Sequence, residues 1–147
     1  MRTSLFAAGL ALAFVGSLGA QQKEMTQADW ANVEAALGRT GAMNPGGIIK
    51  FSFPRSDLTV TAGGVTLKPA LALGSWVAFK RTADGQSLAM GDLVLLDAEV
   101  GAVMKALQAG GVEQTALHNH ILNETPHVMY MHIMGHGDAG AVAKTIH

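Results

Sequence analysis

Residues 89–107, AMGDLVLLDAEVGAVMKAL, change hydrophobic period at their midpoint. The first eight are a nearly unbroken apolar run that holds Gly91 and Asp92, too short for a typical helix, and they read as a buried strand. From Asp97 onward the apolar residues Val100, Val103, Met104 and Leu107 recur at i, i+3, i+4 and i+7. That is the stripe of an amphipathic helix; Asp97 is its cap and Gly110-Gly111 its stop. A strand running directly into a helix predicts a mixed architecture.

The flanking sequence extends that pattern. Upstream, residues 48–53 read as a strand closed by Pro54. Residues 58–62 alternate Leu58, Val60 and Ala62 with two threonines up to a turn at Gly63-Gly64, and residues 75–80 (SWVAFK) form a strand ended by Ala83-Asp84-Gly85. Further upstream, Thr26 and Asp29 have capping-box spacing, Met25 and Trp30 the spacing of a hydrophobic staple, and Trp30, Val33 and Leu37 a helical stripe stopped by Gly38; residues 41–47 (GAMNPGG) are a loop. Downstream, residues 114–122 and 127–135 read as two strands joined by the turn residues Asn123-Glu124-Thr125-Pro126, followed by a short helix from about Ala139. Together these predict one α+β domain, an antiparallel-rich sheet with helices mainly on one face and a C-terminal His-rich β-hairpin.

The first twenty residues read as a leader outside this domain. Arg2 supplies a positive start, residues 5–15 an apolar stretch too short for a confident membrane span, and Ser17-Leu18-Gly19-Ala20 the small residues of a cleavage site. The expectation is a signal peptide over 1–20, removed to leave a single domain over 21–147 that is periplasmic or secreted and keeps no membrane span. The formal net charge of −1 and the lack of a long basic run argue against nucleic-acid partners. With no cysteine, an exported chain has neither disulfide nor thiolate ligand, and any metal must take nitrogen, oxygen or thioether donors.

All six histidines fall within the last thirty residues. His118 and His120, at i and i+2, share a face if their segment is extended. Pairing His118 with His132 sets His120 against Tyr130 and makes a three-imidazole patch; a register one residue away sets Met131 and Met129 against the two histidines instead, and the loop length leaves the register open. His136, at i+4 from His132, is a candidate fourth ligand. Imidazoles without thiolate suit Zn²⁺ or Cu²⁺. Three uses of the patch stay open: divalent-metal binding, a metal-dependent hydrolase, and a metal-free module for a small polar envelope ligand. In the hydrolase reading, Arg55 would hold an anion and Asp57 or Glu124 would act as base. The competing reading of Arg55 and Asp57 is an ion pair that shapes a strand end, and Asp92 and Glu99 read as residues flanking the second helix. No phosphate loop, dinucleotide fingerprint or nucleophile triad is present, so neither a nucleotide nor an organic cofactor is implied.

Several motifs in order, PRSDLTV (54–60), GVTLKPALALGSWVAFK (64–80), MGDLVLLDAEVGAVMKAL (90–107) and TALHNHIL (115–122) followed by MYMHIMGHGD (129–138), resemble the LppY/LpqO family of exported bacterial proteins. The resemblance covers essentially the whole chain after residue 20. It implies the motif positions Arg55, Asp57, His118, Asn119, His120, His132 and Gly135-His136-Gly137, and no assigned activity. The family is often described as lipoproteins; a chain without cysteine departs from that, because it offers no residue for N-terminal lipidation.

Overall fold

The computed structural model describes residues 25–147; the expected signal peptide lies outside the described residues. The architecture is α+β, as the change of period at residue 97 implies. Six strands form an antiparallel sheet in the order β1 (Ala42–Asn44), β2 (Ile48–Pro54), β5 (Gly74–Arg81), β6 (Ser87–Leu96), β9 (Val128–Gly137) and β7 (Glu113–His118). A three-stranded sheet of β4 (Val65–Thr66), β3 (Thr61–Ala62) and β8 (Glu124–Thr125) lies beside it.

Alternation along the strands divides the large sheet into two unlike faces. Odd-numbered residues Ile49, Phe51, Val77, Phe79, Ala89, Leu95, Met131 and Ile133 pack with Trp30, Val33 and Leu37 into the main core. That face is covered by α1 (Ala31–Leu37), α3 (Asp97–Ala109) and α4 (Ala139–Ile146). Burying each large apolar side chain there contributes about 1.5–3 kcal/mol. Among the described residues, the even face is covered only at one end. There Val94, Val128 and Tyr130 meet Val60 and Leu73 in a second cluster, beneath the small sheet and the single turn α2 (Pro69–Ala72).

Most local signals act where they were read, although the N-cap of α3 is Leu96 and Asp97 is its first residue. Asp29 accepts from the backbone N–H and the hydroxyl of Thr26, at 2.8 and 2.7 Å, and a 3₁₀ turn over Gln27–Trp30 leads into α1. Gly38 ends α1 at φ 62°, the left-handed conformation that favours glycine. Asp138 caps α4 by accepting from Ala141 N–H at 2.9 Å.

Three expectations are corrected. The 41–47 loop contains β1, which pairs with β2 through the turn at Pro45-Gly46-Gly47. The expected strand at 58–62 shortens to Thr61–Ala62, because Leu58 and Val60 pack into the second cluster instead of extending a ladder. Residues 123–126 are not a tight turn: Glu124 and Thr125 leave the hairpin and pair with Ala62 and Thr61.

That excursion frees the hairpin register from turn geometry. His118 lies opposite Tyr130 and Ala116 opposite His132, with a bulge between Gln114 and Ala116. Neither anticipated register occurs. The one observed is two residues from the His118–His132 pairing, and an even shift keeps every side chain on its face. Met131 and Ile133 stay in the core, and His132 stays on the opposite side.

Gly91 on β6 leaves no room for a side chain between β5 and the core. A Cβ there would lie 2.7 Å from the Trp76 carbonyl oxygen and 3.1 Å from the Ile133 side chain. Gly91→Ala should therefore cost about 1–3 kcal/mol through overpacking against backbone that has little freedom to yield. Chemical denaturation reads this directly, and an unchanged midpoint would mean that the strands separate freely.

Candidate metal centre

His118 ends β7, His120 follows it in the loop, and His132 stands on β9, all on the even face. One ligand nitrogen from each lies within 4.8 Å of the others. The Nε2 atoms of His118 and His132 are 2.8 Å apart, which makes them one hydrogen-bonded pair with one ring donating and the other accepting. The rings pile up on Tyr130: His120 stacks on it with centroids 3.7 Å apart and the planes 10° apart, and His118 lies between His120 and His132, with centroids 4.8 and 4.9 Å away and its edge turned to His132.

Tyr130 is the foundation of the pile. Its hydroxyl donates to the Ala72 carbonyl at 2.8 Å, tying β9 to α2. Burial, with the nearby Asp92 and Glu124 carboxylates, pushes the phenol above its ordinary range and keeps it a neutral donor. His120 is exposed, yet the Tyr130 ring fixes the plane in which it lies.

The remaining anticipated site residues lie elsewhere. His136 is four residues along β9 from His132, about 13 Å in an extended strand. Its Nε2 is 3.4 Å from Asp84 in the β5–β6 turn, a half-exposed pair. The Asp84 carboxyl is held below its usual range by hydrogen bonds from Thr82 and the Gln86 backbone. His127 pairs through Nδ1 with Glu124 at 2.6 Å. Burial pushes the Glu124 carboxyl up, but hydrogen bonds from its own and the Val128 backbone, together with His127, outweigh this and hold it below its ordinary range. Glu124 is thus engaged away from the three histidines, and His147 is exposed at the end of α4.

Arg55 and Asp57 form an ion pair that acts as a staple at a strand end. The Arg55 guanidinium donates through Nε and Nη2 to Asp57, through both Nη atoms to Glu99, and through Nη1 to the Val94 carbonyl at 2.8 Å. A guanidinium has five N–H donors, and this set occupies them. The staple sits where β5 and β6 part. Beyond the Trp76–Asp92 pair the ladder stops, so Val94 N–H turns to the Ser75 hydroxyl at 2.8 Å and Val94 C=O to Arg55. Glu99 also accepts from Leu96 N–H at the start of α3, joining strand end and helix start.

Asp92 lies in the strand that the sequence assigns to residues 89–96, on β6, but its place beside the site was not read: it stands opposite His132 and Trp76 and is 9% exposed. The signal was present in the sequence: a carboxylate within a run of buried strand residues has no structural reason to be there.

The chain belongs to the family described as Domain of Unknown Function (DUF1259), whose model matches residues 31–147. No curated protein and no solved structure matches it.

The staple has a pH signature. Arg55 hydrogen bonds hold the Asp57 and Glu99 carboxyls below their ordinary range, so both bind protons less readily folded than unfolded. Their stabilisation is complete above about pH 5 and is lost as pH falls through the depressed folded values. Arg55→Leu should cost about 2 kcal/mol at neutral pH, because it strips the Val94 carbonyl of its partner along with the ion pairs. The gap between wild type and variant should narrow as the pH is lowered toward 2; a gap of constant size would assign the loss to packing alone.

Proposed function

We propose that this DUF1259 protein binds a divalent metal ion, zinc or copper, through His118, His120 and His132. The supporting observation is the convergence of one nitrogen from each ring within 4.8 Å. An exposed His120 has no buried hydrogen bond to satisfy, so ordinary core packing does not account for its place in the pile. A tetrahedral ion with metal–nitrogen bonds of about 2.0–2.1 Å sets its nitrogens about 3.3 Å apart. Loading would then replace the proton shared by His118 and His132 and open that pair by about half an ångström. Three protein ligands leave a coordination position free, which is the arrangement of a site that also meets a small molecule.

A metal-dependent hydrolase is the second reading, favoured by that free position and by the Asp92 carboxylate one strand away from His132. It proceeds without Arg55, Asp57 and Glu124, whose partners lie elsewhere, and His136 stands outside the ligand set. We further propose export to the periplasm or the medium with loss of residues 1–20, and membership of the LppY/LpqO family, on the strength of the leader pattern and the motif order in the sequence.

Linkage tests the metal. A ligand bound only by the folded state at a hundredfold excess over its Kd adds about 2.7 kcal/mol, so Zn²⁺ or Cu²⁺ should raise the melting temperature by several degrees. His118→Ala and His132→Ala should each abolish the rise, and His147→Ala should preserve it. The effect should weaken in acid, since protons compete for imidazole nitrogens. Equal melting temperatures with and without each ion would refute the metal site.

Export has its own measurement. Mass spectrometry of the periplasmic fraction should find a chain that begins at Ala20 or Gln21, whereas recovery of the intact chain from cytosol alone would contradict it.

A further inference from the structure

Beside the histidines, on the same face of the sheet, lies a groove of about 640 Å³. Its lining includes His120, Tyr130, Asp92, Trp76, Lys50 and Lys68. The floor is a cross-strand row, Ser52 on β2, Trp76 on β5 and Asp92 on β6, which His132 continues on β9.

Asp92 carries the argument. It is 9% exposed, and its Oδ1 is buried without a hydrogen-bond partner among the described residues. Desolvating a carboxylate without supplying a donor costs stability, and this sheet has no use for one there: its neighbours on the same strand and face are Met90 and Val94. Asp92 also lines the groove, so the accessible part of its carboxylate is placed to accept an O–H or N–H from something that enters it. Toward the other end, Lys50 Nζ lies 4.1 Å from the centroid of the Trp76 ring, and Lys68 stands exposed at the start of α2. Neither lysine has a carboxylate partner among the described residues. The groove thus offers one buried acceptor and two unneutralised cations, separated by an indole face.

A single ligand chemistry satisfies both ends: a small anion that also carries a hydrogen-bond donor. A hydroxyl is such a donor and adds no charge to the groove. Lysine ammonium groups act as point charges and take a carboxylate without demanding bidentate geometry. We propose that this groove binds a small hydroxy-carboxylate, with a ligand hydroxyl donating to Asp92 and the ligand carboxylate held between Lys50 and Lys68. The site stands whether or not the three histidines hold a metal.

Titration of metal-free, chelator-free protein tests it, read by calorimetry and by the Trp76 indole resonance in NMR. The probes are gluconate, which has both groups, sorbitol, which lacks the carboxylate, and hexanoate, which lacks the hydroxyls. Gluconate should bind and shift the Trp76 signal, with the other two at least about tenfold weaker, roughly the value of one charge-assisted hydrogen bond. Asp92→Asn keeps the shape and removes the charge. It should weaken gluconate by at least about tenfold while the melting temperature of the ligand-free protein holds or rises, because Asp92 Oδ1 has no hydrogen-bond donor to lose. Replacing both Lys50 and Lys68 with Gln should erase the preference for gluconate over sorbitol. No gluconate binding, equal binding by Asp92→Asn, or a marked fall in the stability of that variant would each overturn the proposal, the last by making Asp92 a structural residue.

Discussion

The ladder between β6 and β9 governs this molecule. Ten consecutive cross-strand pairs, from Ser87–Gly137 to Leu96–Val128, join the two longest strands at the middle of the sheet. Because strand side chains alternate, those pairs decide together which residues enter the core and which enter the open face. A slip of one residue would send Met131 and Ile133 out and His132 in. The cost of exposing two buried core side chains while burying an imidazole without partners holds the register. The histidine cluster is therefore positioned by hydrophobic residues on the other side of the sheet.

The two faces follow different rules. On the helix side the core cluster is built of apolar side chains, although Trp30 Nε1 and the buried Ser87 Oγ lack a hydrogen-bond partner among the described residues. On the open side, unusual features lie close together: a buried carboxylate oxygen lacks a donor, three imidazoles crowd a space the size of a coordination site, and a half-buried lysine lies against an indole. Departures of this kind gather where a surface serves a ligand and not the fold. The second cluster, with Tyr130 at its centre, holds the boundary between the two regimes. One end of that side chain is bonded to α2 and its ring face supports His120.

The Arg55 staple shows how a charged motif can mislead. Arginine beside aspartate is as well suited to an anion as to a strand end, and the residues that choose between these uses, Val94 and Glu99, lie 39 and 44 positions away in the chain. Where β5 diverges from β6, the backbone of Val94 needs new partners, and Ser75 and Arg55 supply them. The need arises from the divergence of two strands, and divergence leaves no mark on the local pattern.

The sequence by itself determined the class of fold, the period change at Asp97, the capping residues Asp29 and Gly38, and the concentration of imidazole in the last strands. These rest on interactions within a few residues or on alternation along one element, so they are written locally. The tertiary structure alone decided that Glu124 and Thr125 leave the hairpin for β3, that His118 faces Tyr130, that His136 joins Asp84 and not the other histidines, and that Asp92 lies beside the site. Each of those depends on which distant segment satisfies an exposed strand edge or covers an apolar side chain. Such choices are settled by the free energy of the whole packed chain, so no short window of sequence contains them.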